Sequence, residues 1–371
     1  MACKRIFTCT PKCFSGSDTF FARDTGLICR TLQSLGVESK SILLLPHVDG
    51  EYENDVLRTT LKNLESADWW RELELDGVVL YSWGMRQYNR VAKAIHNAGI
   101  RKVVIHMDTS GGFNKLLLEE YTPLKAIKKW ITSSLHNILR ARHLSYADVI
   151  TMAPSAAKAV SQMPFLDESI VEKNYPMPCP VSPKCRYSGE EKKDIILCIG
   201  RWDDNKQKRQ SLLMETLSIY YATGGRAETH IFGQLTNELR EWHAQLPQTT
   251  ATMINLKGFV DHHRLWSEYA EAKIILCNSS YESSHCASAE ALCCGCSVVV
   301  SNRPEPLRVV HWYTSRDSGT ISAEDTPASL AEAIHQELLL WENGKRDPHT
   351  IAKVWQPYFH ADRIMKDIFD L

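Results

Sequence analysis

The sequence contains no apolar run of the roughly 18 residues that a membrane-spanning helix needs. Its first residues, MACKRIFTCT, also lack the long apolar region and the small-residue cleavage site of a secretory signal. We therefore expect a cytoplasmic protein that has no membrane span. Peripheral attachment to the inner face of the cytoplasmic membrane remains compatible with this expectation.

An excess of charge of one sign is also missing, since 43 basic residues face 44 acidic ones. Proteins that bind nucleic acid over a large surface are usually strongly basic, so we predict no nucleic-acid partner. Internal repeats and low-complexity tracts are absent from the sequence as well. A chain of 371 residues without repeats predicts about two globular domains.

Cysteine is present, with twelve residues, but paired ligand motifs for a metal are not. Cys293 and Cys296 form one C-x-x-C, at the end of a predicted helix and before a buried strand. A second ligand pair at zinc spacing is lacking, so we interpret both as core residues. The sequence predicts reduced, packed thiols and no metal site.

The most informative stretch runs from Ile274 to Val300 and alternates a strand, a polar turn, a helix and a second strand. Glu282 follows the first strand, at the end where open α/β sheets bind ligands. Glu290 lies eight residues later, about two helical turns inward, among small apolar residues. A carboxylate in such surroundings is costly to bury unless something binds it.

This stretch resembles the Glu-x7-Glu motif of family 4-type retaining glycosyltransferases, which have the GT-B fold. That fold is α/β, with two Rossmann-like domains facing a central cleft. The resemblance implies that Glu282 contacts the transferred sugar and that Glu290 holds the ribose of a nucleotide-sugar donor. It implies no cofactor besides that donor substrate. The family usually has Gly-Phe-Gly after the first Glu, whereas Ser283, Ser284 and His285 stand here, so the sugar pocket need not be the common one. We expect Ser284 and His285 to contact the donor.

A second motif, similar to the family's G-R-x4-K element, consists of Gly200, Arg201 and Lys206 after a predicted strand. Fixed cations at this place stabilise the charge that develops on a leaving diphosphate, without a metal. We interpret Lys208 and Arg209 as surface charges, with Lys208 as the alternative for the phosphate role. We interpret Asp203 and Asp204 as solvated loop residues and not as a metal-binding acidic pair.

The segment from Leu256 to Ala272 also resembles the family, and the resemblance implies that Gly258, Phe259 and Val260 border the base pocket. His262 and His263 lack the i, i+4 spacing of helical metal ligands, so we expect them to be exposed.

The N-terminal half resembles the family more loosely. Ser15, Gly16 and Ser17 lie in the loop after the first strand, and the resemblance implies an acceptor-side role. His106 follows a buried strand, and in the family a His at this place lies near the reacting carbon. Met107 separates it from Asp108, so the role of Asp108 stays open. A lone His after a strand is also often a structural hydrogen-bonding residue.

One helix-compatible segment, 124–143, has apolar residues on one face, including Trp130, and no acidic residue. It carries five Lys and Arg residues. One interpretation is a core-packed helix with a solvated basic face; the other is an interfacial helix on an anionic membrane surface. We favour the second, because solvated helix faces usually mix charge signs.

The predicted domains are an N-terminal acceptor domain (1–176), a C-terminal nucleotide-sugar domain (177–350) and a C-terminal helix (351–371) that returns to the first domain. The predicted function is retaining transfer of a sugar to a glycan or lipid-linked acceptor, in cell-surface polysaccharide or glycolipid synthesis. Two alternatives are a GT-B sugar-nucleotide epimerase and a catalytically silent sugar-binding subunit.

Overall fold

The computed structural model describes residues 4–47, 52, 54–82, 86–109, 121–304, 309–315 and 317–371. The chain folds into two compact units. The first comprises Met1–Pro183 together with His360–Leu371, and the second comprises Lys184–Phe359. The last residues of the chain therefore belong to the first unit. The segment predicted as a single C-terminal helix, 351–371, is divided between the two units.

The first unit contains a parallel sheet of seven strands in the order β3-β2-β1-β4-β5-β6-β7. Strand order reverses between β1 and β4, which makes this pair the topological switch point of the sheet. The strands are β1 (Ile6–Thr10), β2 (Ser41–Leu44), β3 (Val56–Thr59), β4 (Gly77–Ser82), β5 (Lys102–Met107), β6 (Val149–Thr151) and β7 (Asn174–Tyr175).

Helices follow the strands of this unit, as parallel connections require. The described helices are α1 (Asp18–Phe21), α2 (Asp24–Ser34), α3 (Leu61–Leu64), α4 (Ala67–Glu72), α5 (Arg86–Asn97), α6 (Pro123–Ser145), α7 (Pro154–Ser161), α8 (Ser169–Glu172) and the C-terminal α17 (Ala361–Phe369). Ile364 and Ile368 of α17 pack with Ile28 and Leu32 of α2 in one core cluster. This apolar contact explains why the end of the chain belongs to the first unit.

The second unit contains a parallel sheet of six strands in the order β10-β9-β8-β11-β12-β13. Its switch point lies between β8 and β11, where two loops leave the sheet in opposite directions. The strands are β8 (Lys193–Arg201), β9 (Glu228–Gln234), β10 (Ile254–Gly258), β11 (Ala272–Cys277), β12 (Ser297–Val300) and β13 (Gly319–Ile321).

The helices of the second unit are α9 (Asn205–Lys208), α10 (Gln210–Ala222), α11 (Asn237–Gln245), α12 (Gln248–Ala251), α13 (His262–Glu271), α14 (Cys286–Cys293), α15 (Pro327–Glu342) and α16 (Pro348–Phe359), with a 3₁₀ helix at Val309–Tyr313. The α14 helix is buried along most of its length because its residues are small. Apolar strand residues such as Leu197, Ile275 and Val299 are fully buried, as expected for a sheet covered on both faces.

The predicted strands are confirmed with small changes at their ends. The run predicted over Lys102 to Ile105 extends to Met107, which places His106 inside β5 rather than after it. Cys293 and Cys296 are buried, and the Cys296 thiol lies 3.0 Å from the carbonyl oxygen of Tyr269. Within the described residues, no helix is both long and apolar enough to cross a bilayer.

Candidate functional site

A buried ion pair lies at the switch point of the second sheet. Glu282, in the loop after β11, pairs with the ammonium group of Lys208, and the two side chains are 9% and 13% exposed. The side-chain amide of Gln207 donates to the other carboxylate oxygen of Glu282 at 3.3 Å. Both oxygens of the carboxylate are therefore bonded by residues of the loop that follows β8.

Burial by itself acts to raise the pKa of Glu282, but the Lys208 ammonium group and His285 outweigh it. The pKa of Glu282 consequently lies below its ordinary value. Glu282 is thus a buried carboxylate that stays ionised, and it is bonded to a cation of the neighbouring loop.

Hydrogen bonds to backbone carbonyls hold the two loops together. The amide of Ser280 donates to the carbonyl of Gln207 at 2.8 Å, and its hydroxyl donates to the carbonyl of Lys206 at 2.6 Å. The side-chain amide of Asn278 donates to the carbonyl of Lys208 at 2.7 Å. Asp204 caps the short helix α9, and Arg209 ends it in the left-handed conformation. These contacts fix the positions of the side chains on α9.

The three basic residues of this loop lie in different surroundings. Arg201 is 67% exposed, and its guanidinium lies 3.4 Å from Gln207 and 3.6 Å from Asp204. Lys206 is exposed, whereas Lys208 is the lysine that reaches Glu282. The interpretation of Lys208 as a surface charge was therefore wrong, because the single turn of α9 points residues two positions apart in different directions.

A second ionic cluster lies beside the first. Asp325 accepts hydrogen bonds from Arg209, Arg303 and Ser301, each at 2.6 Å. Although burial acts to raise the pKa of Asp325, these donors lower it below the ordinary value. Arg209 is only 19% exposed, so its interpretation as a surface charge was also wrong. This cluster joins the end of α9 to the loops after β12 and β13.

Glu290 lies on α14 and is 7% exposed. His262 and Tyr269 of α13 satisfy its two oxygens: the His262 Nε2 atom lies 2.7 Å from one, and the Tyr269 hydroxyl donates to the other at 3.0 Å. Burial raises the pKa of Tyr269 well above its usual range, and the Glu290 carboxylate adds to this shift. The expectation that His262 is an exposed residue was wrong, because the start of α13 packs against α14.

His285 precedes α14 with φ of 49°, a left-handed conformation. Its Nδ1 atom lies 2.6 Å from the Ser288 hydroxyl. Burial lowers the pKa of His285 to about 4, and the nearby Lys208 cation adds to this effect while Glu282 opposes it. The imidazole is therefore neutral near pH 7. In the described part of the chain, its Nε2 atom has no hydrogen-bond partner. Ser284 is also buried, and its hydroxyl lies 3.6 Å from the Cys286 sulfur.

The remaining predicted donor residues border the same edge of the sheet. Gly200 lies next to the last residue of β8 and pairs with Gly233 of β9. A Cβ atom on Gly233 would lie 1.9 Å from the Gly200 carbonyl oxygen, so this approach of two strands requires glycine. Gly258 ends β10 with φ of 70°; Phe259, which follows it, is 75% exposed, and Val260 is half-buried.

In the first unit, His106 is 2% exposed, and its Nδ1 atom lies 2.8 Å from the Thr151 hydroxyl. Burial lowers the pKa of His106 and outweighs the effect of Asp108, so the ring is neutral near pH 7. Asp108 accepts a hydrogen bond from the Tyr81 hydroxyl at 3.0 Å. The carboxyl ends of β4, β5 and β6 thus meet in a small polar cluster.

Ser15, Gly16 and Ser17 lie in the loop after β1, as predicted from the sequence. Ser15 is exposed, Gly16 is buried and Ser17 precedes α1 without capping it through its side chain. The structure brings Glu282 and His285 together with the loop after β8, and it places Glu290 one helix further on. His106 and the residues after β1 belong to the other unit.

Metal ligands do not cluster in the described residues: no group of three or more His, Cys, Asp or Glu side chains is arranged to hold an ion. The prediction of a metal-free, cofactor-free enzyme stays a prediction.

The family model of glycosyl transferases group 1 matches residues 193–339, which include β8 to β13 and the loops just described. A search of curated protein sequences finds no match to the chain. Solved structures give matches over nearly the whole length.

Three of these structures illustrate the likeness. Sucrose-phosphate synthase from Thermosynechococcus elongatus has a TM-score of 0.65 and 14% identity, covering 99% of this chain and 98% of that one. Anabaena HepE in complex with UDP has a TM-score of 0.68 and 13% identity, with coverage of 99% and 98%. The lipopolysaccharide outer core galactosyltransferase WaaB has a TM-score of 0.63 and 15% identity, with coverage of 99% and 99%. Together with the two parallel sheets, this likeness confirms the predicted GT-B fold class.

Proposed function

Because residues 193–339 match the family model of glycosyl transferases group 1, we propose that the protein transfers a sugar from a nucleotide-sugar to an acceptor hydroxyl. The observation that carries this proposal is the buried Glu282–Lys208 pair at the switch point of the second sheet. Ligands of open α/β sheets bind at this place. A buried ion pair is costly to maintain, and the helix that follows Glu282 carries a second buried carboxylate, Glu290.

Each charged group has a role in this proposal. Glu290 accepts hydrogen bonds from the donor ribose, and its contacts with His262 and Tyr269 hold it in place. Glu282 accepts hydrogen bonds from the hydroxyls of the transferred sugar. A carboxylate has about four acceptor sites, so each keeps capacity for a ligand.

Lys208 and Arg201 stabilise the diphosphate. Lys208 provides a buried cation, which acts more strongly than an exposed one because water screens it less. Lys206, to which the sequence motif assigned this role, becomes the alternative, since its exposed ammonium group is on the same short helix. The first amide groups of α14 add a positive dipole end that favours phosphate.

The proposed step retains the configuration at the sugar carbon C1. The acceptor oxygen forms a bond to C1, and the bond from C1 to the diphosphate oxygen breaks. The acceptor proton passes to the leaving diphosphate, so neither an enzyme nucleophile nor a metal is needed. A neutral His106 serves the reacting sugar as a hydrogen-bonding group, which its lowered pKa supports.

For the donor we propose a UDP-hexose, and for the acceptor a glycan or lipid-linked sugar of cell-surface polysaccharide or lipopolysaccharide synthesis. Structures of the similar HepE contain UDP, UDP with glucose, or UDP-glucose. WaaG, another similar structure, is a glycosyltransferase of lipopolysaccharide biosynthesis. These names support the choice of substrates for the first assays.

The test is a thermal-shift screen of UDP, GDP, ADP and their sugars, followed by an assay of nucleotide release with and without EDTA. We expect UDP-sugars to raise the melting temperature by mass action and to be hydrolysed or transferred in EDTA. An epimer formed from donor alone would support the epimerase alternative. Donor binding without turnover on any acceptor would support a silent subunit, and a strict need for Mg²⁺ or Mn²⁺ would contradict the metal-free step.

A further inference from the structure

The helix α6 of the first unit buries its small and polar side. Its buried residues are Ala126, Ser133, Asn137, His143 and Leu144. Ala126, Ser133, Asn137 and Leu144 follow one another at spacings of seven, four and seven residues and therefore share one face. A helix that packs on a sheet normally buries its apolar face, so this arrangement is inverted.

The apolar side of α6 is exposed along its first half. Leu124 is 84% exposed, Ile127 57%, Trp130 50%, Ile131 52% and Leu135 61%. We call these five residues the α6 stripe. Single exposed apolar residues are common, but a contiguous row of five on one helix indicates a surface that binds something. The interpretation of this segment as a core-packed helix with a solvated basic face was thus wrong.

Basic residues flank the α6 stripe and acidic ones are absent from the helix, Pro123–Ser145. Lys125 and Lys128 are exposed, and Lys129 donates to the Tyr121 hydroxyl at 2.6 Å. A groove of about 480 Å³ lies along this flank, lined by Lys125, Lys128, Lys129, Thr132, Ser133 and His136. The flank therefore offers ammonium groups and hydroxyls beside an apolar row.

We propose that α6 docks on an anionic phospholipid surface, lying parallel to it. The α6 stripe enters the boundary between headgroups and acyl chains, and the flanking lysines contact headgroup phosphates. Charge complementarity identifies the binding partner of the α6 stripe and its flanking lysines. An anionic lipid surface matches a helix that joins an exposed apolar row, an interfacial Trp and cations of one sign. This inference goes beyond the proposed function, since lipid binding and sugar transfer are measured separately.

The experiment is co-sedimentation of the full-length protein with phosphatidylcholine vesicles, with or without about one-third phosphatidylglycerol, at low salt and at about 0.5 M salt. We expect binding to anionic vesicles at low salt and weaker binding at high salt. Each lysine near such a surface contributes about fivefold to partitioning, so Lys125→Glu, Lys128→Glu and Lys129→Glu together should lower it by about 100-fold.

Two matched controls separate this site from general charge and hydrophobicity. The first reverses three exposed lysines on other helices of the same unit, Lys62→Glu, Lys93→Glu and Lys158→Glu, which changes the net charge equally. The second control is the double variant Val171→Ser, Leu339→Ser, whose parent side chains are 46% and 54% exposed. It is compared with the double variant Trp130→Ser, Ile131→Ser in the α6 stripe. Only the α6 variants should lose binding, by at least about tenfold for the serine pair.

Circular dichroism and the melting temperature should stay close to those of the parent in all variants, because the substituted side chains are exposed except for Lys129, which is half-buried. Binding that ignores lipid charge, or α6 variants that bind like their controls, would overturn the proposal. The proposal would also be overturned if the protein did not bind vesicles but self-associated in a concentration-dependent way that the Trp130→Ser, Ile131→Ser variant abolished. That result would assign the α6 stripe to contact with a second copy of the chain.

Discussion

The carboxyl ends of the two sheets carry different chemistry. In the second unit, the loops after β8, β11 and β13 hold charged partners that are mostly buried, such as Lys208 with Glu282 and Arg209 with Asp325. In the first unit, the ends of β5 and β6 hold His106 and Thr151, which are joined by a neutral hydrogen bond.

This difference follows the charge of the ligands in the proposed reaction. A diphosphate develops negative charge as it leaves, and preorganised charged groups are most effective against it in a dry site. An acceptor hydroxyl carries no charge and needs only hydrogen bonds. His106 fits this requirement of the acceptor side, since burial lowers its pKa and keeps the ring neutral.

The largest effect should come from removing the cation of the buried pair. Lys208→Met leaves the Glu282 carboxylate buried without its partner, so the free energy of unfolding should fall by about 3–5 kcal/mol. Turnover should fall by roughly 10²–10³, the range for losing one preorganised transition-state group. Denaturant unfolding and nucleotide release measure the two effects.

Lys206→Met is the matched control, because Lys206 is exposed two residues away. The double variant Lys208→Met, Glu282→Gln should recover stability but not turnover. A Lys206 variant that loses more turnover than the Lys208 variant would move the phosphate role back to Lys206.

The next largest effect concerns nucleotide binding in the second unit. Glu290→Gln should raise the Kd for UDP by about 10- to 150-fold, because a hydrogen bond to a charged group contributes about 1.5–3 kcal/mol. Isothermal calorimetry with UDP and with UDP-glucose measures this. Glu282→Gln should weaken the binding of UDP-glucose but not that of UDP. If both variants lost the same affinity for both ligands, ribose and sugar could not be assigned to separate carboxylates.

A smaller effect is expected at His285, which occupies a position where the family usually has glycine. His285→Gly relieves the left-handed backbone but removes the imidazole, so the KM for the donor should rise about three- to tenfold. His285→Asn tolerates the same backbone and keeps a polar group, which should preserve part of the affinity. Steady-state kinetics with several UDP-sugars would also show a changed sugar preference, and unchanged kinetics in both variants would exclude a role in donor selection.

The smallest effect is a pH dependence of stability, to which buried histidines of both units should contribute. Burial lowers the pKa of His143 in the first unit, and of His285 in the second, to about 4. The unfolded chain binds the proton near pH 6.5 and the folded chain does not, so stability is complete above pH 6.5 and is lost as the pH falls towards 4. Between pH 7 and pH 6, each histidine should lower the free energy of unfolding by about 0.7 kcal/mol.

Urea unfolding at pH 7, 6 and 5 checks this dependence. His143→Leu should reduce the loss of unfolding free energy at low pH that comes from the first unit, and His285→Gly should reduce the loss that comes from the second. A parent protein whose stability does not fall below pH 6.5 would contradict both lowered pKa values.

Local patterns in the sequence were sufficient for the architecture. Apolar runs bounded by polar turns predicted the strands, such as Ile274 to Cys277, because a strand in a covered parallel sheet is apolar on both faces. The same periodicity placed Glu282 in a loop and Glu290 on the following helix. The resemblance to a family then supplied the GT-B fold class.

Contacts between distant residues decided the rest. Whether Lys206 or Lys208 reaches Glu282 depends on α9, whose orientation is fixed by Ser280 and Asn278, which lie 74 and 70 residues from the residues they bond. The partners of Glu290 come from α13, and no spacing rule links His262 to a carboxylate 28 residues later.

The sequence by itself determined that α6 has an apolar face and a one-signed polar face, because helical periodicity is a local property. Only the tertiary structure decided which face is buried. Small residues such as Ala126 and Ser133 allow close packing, and so the unit buries that side and leaves the α6 stripe exposed. Burial is a property of the surrounding fold, and a pattern within one helix cannot specify it.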